Sequence, residues 1–464
     1  MPDPTPDPTP DPLHAALLAE LAQRGLATSA QLQAALGKSQ PTLWRALQAL
    51  ANQVVVLGRQ RSARYAPAQP LLGLPGQQPL HWTDEAGRIT EFGTLTHLGA
   101  QRLHVQAPGI DALTTGRLPW FLAPLRLQGF LGRQWARHDQ AAGFDPNPEH
   151  WRIEQLLALA LRQVHDMPGA ISLGEVMGER LPPCPTEPTA RAAHFDTLAA
   201  DAARTLPAGS SAGGEQAKFL TSDADGHRRW LVKFSPPRGT PFGERWHDLL
   251  HAEALALQVL AAHGVPVAHT EIVATAQRTH LASQRFDRLG PAGARHVVPL
   301  DAVHDAFVPG PRRHWAASCA VLARQRRLPP EAAAQVAALL HFGRLIGNSD
   351  MHFGNLSLVV ASPADVARGR FSLAPVYDML PMRWRPDAHS GALDLLPFSP
   401  EPADLSSPAR PVALAFWQRL ADSAAISRPF QQLAGTMAQR LGGCGAPPTA
   451  EPGPSVPPLL PPGQ

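Results

Sequence analysis

Three polar side chains constrain this chain more than anything else in it. Asp350 and Asn355 lie in Leu345-Ile-Gly-Asn-Ser-Asp-Met-His-Phe-Gly-Asn-Leu-Ser-Leu358, and Asp378 lies in Ala374-Pro-Val-Tyr-Asp-Met-Leu380. In phosphoryl transfer a carboxylate that takes the proton of the acceptor hydroxyl stands five residues before a metal-holding Asn, and a later Asp holds the metal's other face. Asp350 and Asn355 reproduce that interval, and Asp378 supplies the later carboxylate. Any fold for this chain must bring that loop and a distant carboxylate to one point.

Upstream residues extend the pattern. Pro207-Ala-Gly-Ser-Ser-Ala-Gly-Gly-Glu-Gln-Ala-Lys-Phe219 is a small-residue loop whose Gly213 and Gly214 would let backbone N–H groups approach phosphate oxygens. Such a loop is equally a plain linker, and it lacks the Lys-Ser/Thr ending of a P-loop. Lys233 sits in the apolar strand pattern Arg229-Trp-Leu-Val-Lys-Phe-Ser235, where burial demands an anionic partner. Glu253, on a helix containing His251–Leu260, can be that partner or an ordinary solvated residue. Leu281-Ala-Ser-Gln-Arg-Phe-Asp-Arg288 reads as a strand and hinge, with Gln284 and Phe286 beside a nucleotide's base. His352 reads as a brace for the loop rather than a metal ligand, since no second ligand follows one helical turn later.

Composition closes off other classes. The 464 residues suit two to four domains, and 41 Lys plus Arg against 38 Asp plus Glu exclude a basic field over the whole molecule. Three scattered cysteines, Cys184, Cys319 and Cys444, exclude a disulfide framework and a cysteine zinc site. The Pro- and Asp-rich start is no signal peptide, and no apolar run reaches membrane-spanning length. A soluble, cytoplasmic protein without a membrane partner is expected.

Along the chain, residues 1–12 and 444–464 are Pro-rich and read as disordered tails. Residues 13–67 read as helices Leu13–Arg24, Ser29–Leu36 and Pro41–Ala51, with Ser29 and Ser39 as N-caps and Gly25 and Gly37 as stops. A hairpin over Val54–Tyr65, turning near Gly58–Arg61, completes the order of a winged helix-turn-helix. Residues 13–66 carry six cations against Glu20, a net charge of +5. Gln40, Thr42 and Arg45 on the third helix, with Arg59 and Arg61 in the wing, are the candidate DNA contacts. A basic protein-docking module would carry the same features. Residues 68–145 read as a β-containing accessory subdomain, 146–288 as a β-rich lobe and 289–443 as a helical lobe.

Gly347-Asn-Ser-Asp-Met-His-Phe-Gly-Asn-Leu-Ser357, Tyr377-Asp-Met-Leu380, Arg285-Phe-Asp-Arg288 and Ser211-Ala-Gly-Gly-Glu-Gln-Ala-Lys218 together resemble the HipA-like serine/threonine kinases of bacterial toxin–antitoxin systems. The helix-turn-helix on the same chain and Met-His-Phe-Gly in the loop resemble the YjjJ subgroup. The resemblance implies an α+β, two-lobed protein-kinase-like fold behind the N-terminal winged helix-turn-helix. It implies ATP and Mg2+ as cofactors, Asp350 as catalytic base, Asn355 and Asp378 as metal ligands, and Lys233 on the nucleotide phosphates. It also implies an autophosphorylated loop serine, Ser211 or its neighbour Ser210. The expected partners are a protein substrate among translation components such as an aminoacyl-tRNA synthetase, operator DNA, and an antitoxin protein unless the fused domain replaces it. Two departures stand out: Gly354 occupies the position of the family's Lys before the metal-binding Asn, and Gln284 that of a Glu. Gly354 leaves open a nucleotide-sensing regulator with little or no transferase activity, and a small-molecule acceptor is a further alternative.

Overall fold

The computed structural model describes residues 11–58, 63–126, 129–138, 143–162, 166–175, 181–204, 216–387 and 392–443. At the N-terminal end, helices Pro12–Arg24, Ser29–Leu36 and Gln40–Ala49 pack Leu17, Leu21, Leu32, Leu43 and Leu47 into one core. Strands Ala27–Thr28, Arg64–Pro67 and Val54–Leu57 form a three-stranded antiparallel sheet in that spatial order. Gly25 and Gly37 end their helices as expected. The cap of the second helix differs: Thr28, not Ser29, takes it, accepting from the Gln31 amide while Gln31 returns a bond to the Thr28 N–H at 2.8 Å. Thr28 still has the extended backbone of its strand, which leaves it rather than Ser29 at the half-turn where a cap sits. Ser39 occupies the third cap position, but its hydroxyl meets Thr42 Oγ1 at 3.0 Å instead of a backbone amide.

Next comes a five-stranded antiparallel sheet in the order Ile110–Thr115, Arg102–Ala107, Ile89–His97, Gln77–Thr83, Ile171–Leu173. Its last strand comes from beyond residue 145, so this layer reaches into the segment assigned from sequence to the following lobe. One continuous core links the layer to the helical half, running from Leu71 and Trp82 through Phe121 to Phe342, Trp417 and Leu441.

A second five-stranded sheet carries the lysine. Its order is Thr270–Ala274, Thr279–Gln284, Arg229–Phe234, Lys218–Asp223, Pro183–Cys184, antiparallel except for the last pair. Helix Pro241–Ala262 packs on it, capped by the Thr240 hydroxyl accepting from the Gly243 amide. Helices Leu300–Phe307, Trp315–Arg324, Pro330–Leu345, Arg410–Ala421 and Arg428–Gly442 build most of the C-terminal half. A small sheet, His296–Pro299 with Ser357–Val360 and Ser372–Leu373, brackets the catalytic-loop motif. Among the described residues no helix is long and apolar enough to cross a membrane.

Candidate functional site

Strand alternation turns Lys233 to the sheet face opposite Trp230, Val232 and Phe234, where it is only 5% exposed. Its ammonium donates to both oxygens of Glu253, at 2.7 and 2.8 Å, from the facing helix. It donates a third bond to Asp378 Oδ1. Burial by itself would lower the lysine's pKa, but the two carboxylates outweigh burial and hold it above its ordinary value. Burial raises Glu253, against the pull of Lys233. Burial also opposes ionisation of Asp378, yet Lys233 and Lys218 keep that carboxyl below its usual range. One cation thus gathers two carboxylates, and Lys218, paired opposite Lys233 in the strand register, acts on both.

The backbone sets Asp378 out from its strand end. Val376 exchanges bonds with the Pro266–Ala268 segment, its N–H donating to Pro266 O and its carbonyl accepting from the Ala268 amide, both at 2.9 Å. Asp378 then adopts φ +55°, a left-handed conformation that Asp tolerates better than most residues. Tyr377, just before it, donates to Gly354 O at 2.9 Å and meets Ser357 Oγ at 2.8 Å, tying this strand end to the loop.

The loop follows helix Pro330–Leu345. The Asp350 amide donates to Asn348 Oδ1 at 2.9 Å, and Asn355 Nδ2 donates to the Asp350 carbonyl at 2.9 Å. That second bond occupies the amide nitrogen of Asn355 and leaves its oxygen as the atom able to ligate a cation. His352 braces the turn as expected, its Nδ1 accepting from the Gly354 amide at 3.1 Å and its carbonyl from Trp315 Nε1 at 3.0 Å. Burial raises the pKa of the Asp350 carboxyl, with the nearby Asp378 charge adding to it.

Other sequence candidates fall in different places. Phe286 stacks at 5.7 Å from the Tyr377 ring, and Gln284 ends its strand opposite Trp230, half-buried. Gly213, Gly214, Ser210 and Ser211 lie outside the described residues, as do Arg59 and Arg61. Gln40, Thr42 and Arg45 lie on the third N-terminal helix, remote in sequence from this cluster, with Arg45 exposed.

The Arg285-Phe-Asp-Arg288 segment is more than a hinge. Arg285 holds Asp287 through both carboxylate oxygens, at 3.0 and 2.7 Å, and reaches Asp166 at 2.8 Å. Arg288 and Arg229 also meet Asp166, at 2.8 and 3.1 Å, and the Gly169 amide donates to Asp287 at 3.2 Å. Asp166 carried no sequence signal of this role, standing 63 residues before Arg229 and 119 and 122 before Arg285 and Arg288. Although burial pushes the other way, the arginines hold Asp166 and Asp287 well below the usual carboxylate range.

Comparison with known proteins decides the family. Residues 210–442 match the HipA-like C-terminal domain, and residues 74–181 match the middle domain of YjjJ-like toxins. Toxin YjjJ of Escherichia coli K12 is 33% identical over 438 residues, covering 91% of this chain and 97% of that one. The chain belongs to the HipA-like toxin family. Two solved structures resemble this family member more distantly. One is a chain from the Shewanella oneidensis MR-1 complex of HipA, HipB and operator DNA, 18% identical with a TM-score of 0.47, over 79% of this chain and 88% of that one. The other is the Helicobacter pylori proinflammatory kinase CtkA, 14% identical with a TM-score of 0.31, over 50% and 88%.

Proposed function

We propose that this HipA-like toxin is a protein kinase that transfers the γ-phosphoryl group of ATP to a serine or threonine hydroxyl. The observation that carries the reading is Lys233 gathering Glu253 and Asp378 into one buried ion cluster, with Asp350 and Asn355 on the loop tied to that strand end. Lys233 would orient the nucleotide phosphates, and Asp350 would orient the acceptor hydroxyl and take its proton. The raised pKa of Asp350 makes it a better proton acceptor than an ordinary carboxylate.

The donor set suits Mg2+. Among the described residues no cluster of three His, Cys, Asp or Glu side chains forms a protein cage. Asp378 and Asn355 offer one carboxylate and one amide oxygen, which fits a cation that completes its shell with phosphate oxygens and water. Held there, Mg2+ would neutralise charge on the transferred group.

The N-terminal helices and three-stranded sheet have the order of a winged helix-turn-helix, and we read residues 13–67 as a DNA-binding module. Its third helix turns Pro41, Trp44, Arg45 and Gln48 outward, away from Leu43, Ala46 and Leu47. Trp44 is 59% exposed, an expensive place for an indole unless it has something to cover it.

Incubation of the purified chain with Mg-ATP, followed by phosphosite mapping beside an Asp350→Ala control, tests the kinase reading. Phosphate on Ser210 or Ser211 in the unmutated protein alone supports it; nucleotide binding with no transfer to itself, a protein or a metabolite overturns it. The latter result would favour the second reading, a nucleotide-sensing regulator, for which Gly354 in place of a cation is the specific observation.

A further inference from the structure

After Asp378 the chain runs Leu380-Pro-Met-Arg-Trp-Arg-Pro386, and its side chains alternate. Met382 and Trp384 are buried, whereas Arg383 and Arg385 face solvent. The tryptophan is the anchor, packed against Trp417, Phe398 and Phe430 with ring centroids 5.6, 5.8 and 6.4 Å away. Its indole N–H donates to Leu396 O at 3.1 Å. From the long helix, the buried Arg245 guanidinium donates to the carbonyls of Trp384, Leu393 and Asp394 at 2.7, 2.8 and 3.2 Å. The two outward arginines therefore stand on a rigid ledge.

That ledge is fastened to the catalytic loop. The Arg383 amide donates to Gly347 O at 2.9 Å, three residues before Asp350. Gly347 has φ +74°, and a Cβ there would come within 2.7 Å of the Trp384 ring, so loop and ledge meet where only glycine fits. Between them lies a groove of about 500 Å³ whose walls include Asn348, Ser349, Arg344, Arg383, Phe398 and Glu401. Arg383 lies 5.3 Å above the Phe398 ring, and Arg385 is within electrostatic reach of Asp350. Among the described residues neither arginine enters an ion pair. Some exposed arginines on this chain do find carboxylates, as Arg312 does with Asp305 and Arg228 with Asp223.

We propose that Arg383 and Arg385 read acidic side chains flanking the phosphoacceptor hydroxyl, so that the protein substrate presents Asp or Glu beside the residue it offers to Asp350. The inference rests on the kinase reading. A guanidinium pair held in place loses little entropy when it meets a carboxylate, which makes such a ledge selective as well as attractive. The acidic residues of the groove argue for isolated acidic side chains rather than a nucleic-acid backbone. Glu401 and Asp404 line the groove, and a continuous run of phosphates would meet their charge.

The test measures binding by the full-length protein through fluorescence anisotropy. The probes are a fluorescein-labelled serine peptide flanked by glutamates and its counterpart with lysines. The acidic peptide is expected to bind about tenfold more tightly at low salt, with the preference shrinking as salt rises. An Arg383→Ala/Arg385→Ala double variant is expected to bring the two peptides within about twofold of each other, while Arg313→Ala, an exposed arginine outside the groove, retains the preference. Unaltered melting temperatures establish that the variants fold. Equal binding of both peptides, or a double variant that keeps the preference, overturns the proposal. A single-stranded RNA of equal charge that displaces the acidic peptide at lower concentration overturns the peptide as occupant. Phosphosite mapping on the unmutated chain reads the kinase assignment separately, so either idea can fail alone.

Discussion

Two buried ion clusters stand in this molecule, and they are built on opposite plans. Around Asp166 and Asp287, three arginines face two carboxylates with short bonds on every side, and the Gly169 amide adds a further bond to Asp287 Oδ2. Around Lys233, one ammonium serves two carboxylates, and Asp378 keeps 24% of its side chain exposed. The first arrangement is closed and positively charged; the second is open to solvent at Asp378. A closed cluster fixes the chain, because removing any member strands a buried charge. An open one is fit to exchange partners with something that arrives.

The sharpest way to break this contrast is Asp350→Ala. It should lower transfer by about 10²–10⁴-fold, the range of a lost general base, while leaving the melting temperature nearly unchanged. Phosphosite mapping and a thermal melt on the same sample check both halves. Asp287→Ala should do the reverse, costing about 3–5 kcal/mol in urea unfolding by leaving the buried Arg285 and Arg288 to share Asp166 with Arg229. A variant that unfolds at the wild-type urea midpoint would remove the closed cluster from its structural role.

Cation binding should separate the two next. Mg2+ with a non-hydrolysable ATP analogue at about 100 times its Kd should raise stability by about 2.7 kcal/mol. Asp378→Asn should lose most of that increment, and Asp287→Asn should keep it. Asn also tolerates the left-handed backbone at 378, so strain does not confuse the result.

Acid should distinguish the clusters by sign. Asp350 has a raised pKa, so its base form, and with it activity, declines as pH falls toward a value above the ordinary 3.8. Asp166 and Asp287 have lowered pKa values, so their stabilisation is present above that ordinary value and is lost only as pH falls further, through their folded values. A pH–rate profile laid over a pH–stability profile should therefore show activity failing first. The smallest expected effect is Gly354→Lys, which restores the family's cation and should raise the transfer rate by no more than about tenfold. A rate unchanged in that variant would mean that Lys218 or another cation already serves.

Much of the open cluster was legible in the sequence because chemistry there contradicts its surroundings. A lysine in a valine and phenylalanine strand has to find an anion, and the spacing of Asp350 and Asn355 is too specific for packing to explain. The closed cluster was harder to read. Arg285-Phe-Asp-Arg288 is dense with charge, but its key partner, Asp166, lies in a turn before a different sheet, and no local periodicity joins segments so distant. The three N-terminal helices followed from apolar spacing and glycine stops, within a residue or two, whereas the helix expected at His251–Leu260 begins ten residues earlier at Pro241 and helix Pro188–Arg204 gave no such signal. The Thr28 cap shows the limit: Thr28 and Ser29 are equally good caps by type, and only the strand ending at Thr28 selects between them. The edge strand Ile171–Leu173 was likewise invisible, since a three-residue strand has too little alternation to announce itself.

Gly347 carries a consequence for how this family member can diversify. Because Trp384 fills the space where its side chain would be, the backbone bearing the acceptor-side arginines cannot drift without displacing the loop that holds Asp350. Lineages descended from this chain can retune their choice of partner by exchanging the exposed residues at 383 and 385. Relocating the ledge itself would put the chemistry at risk.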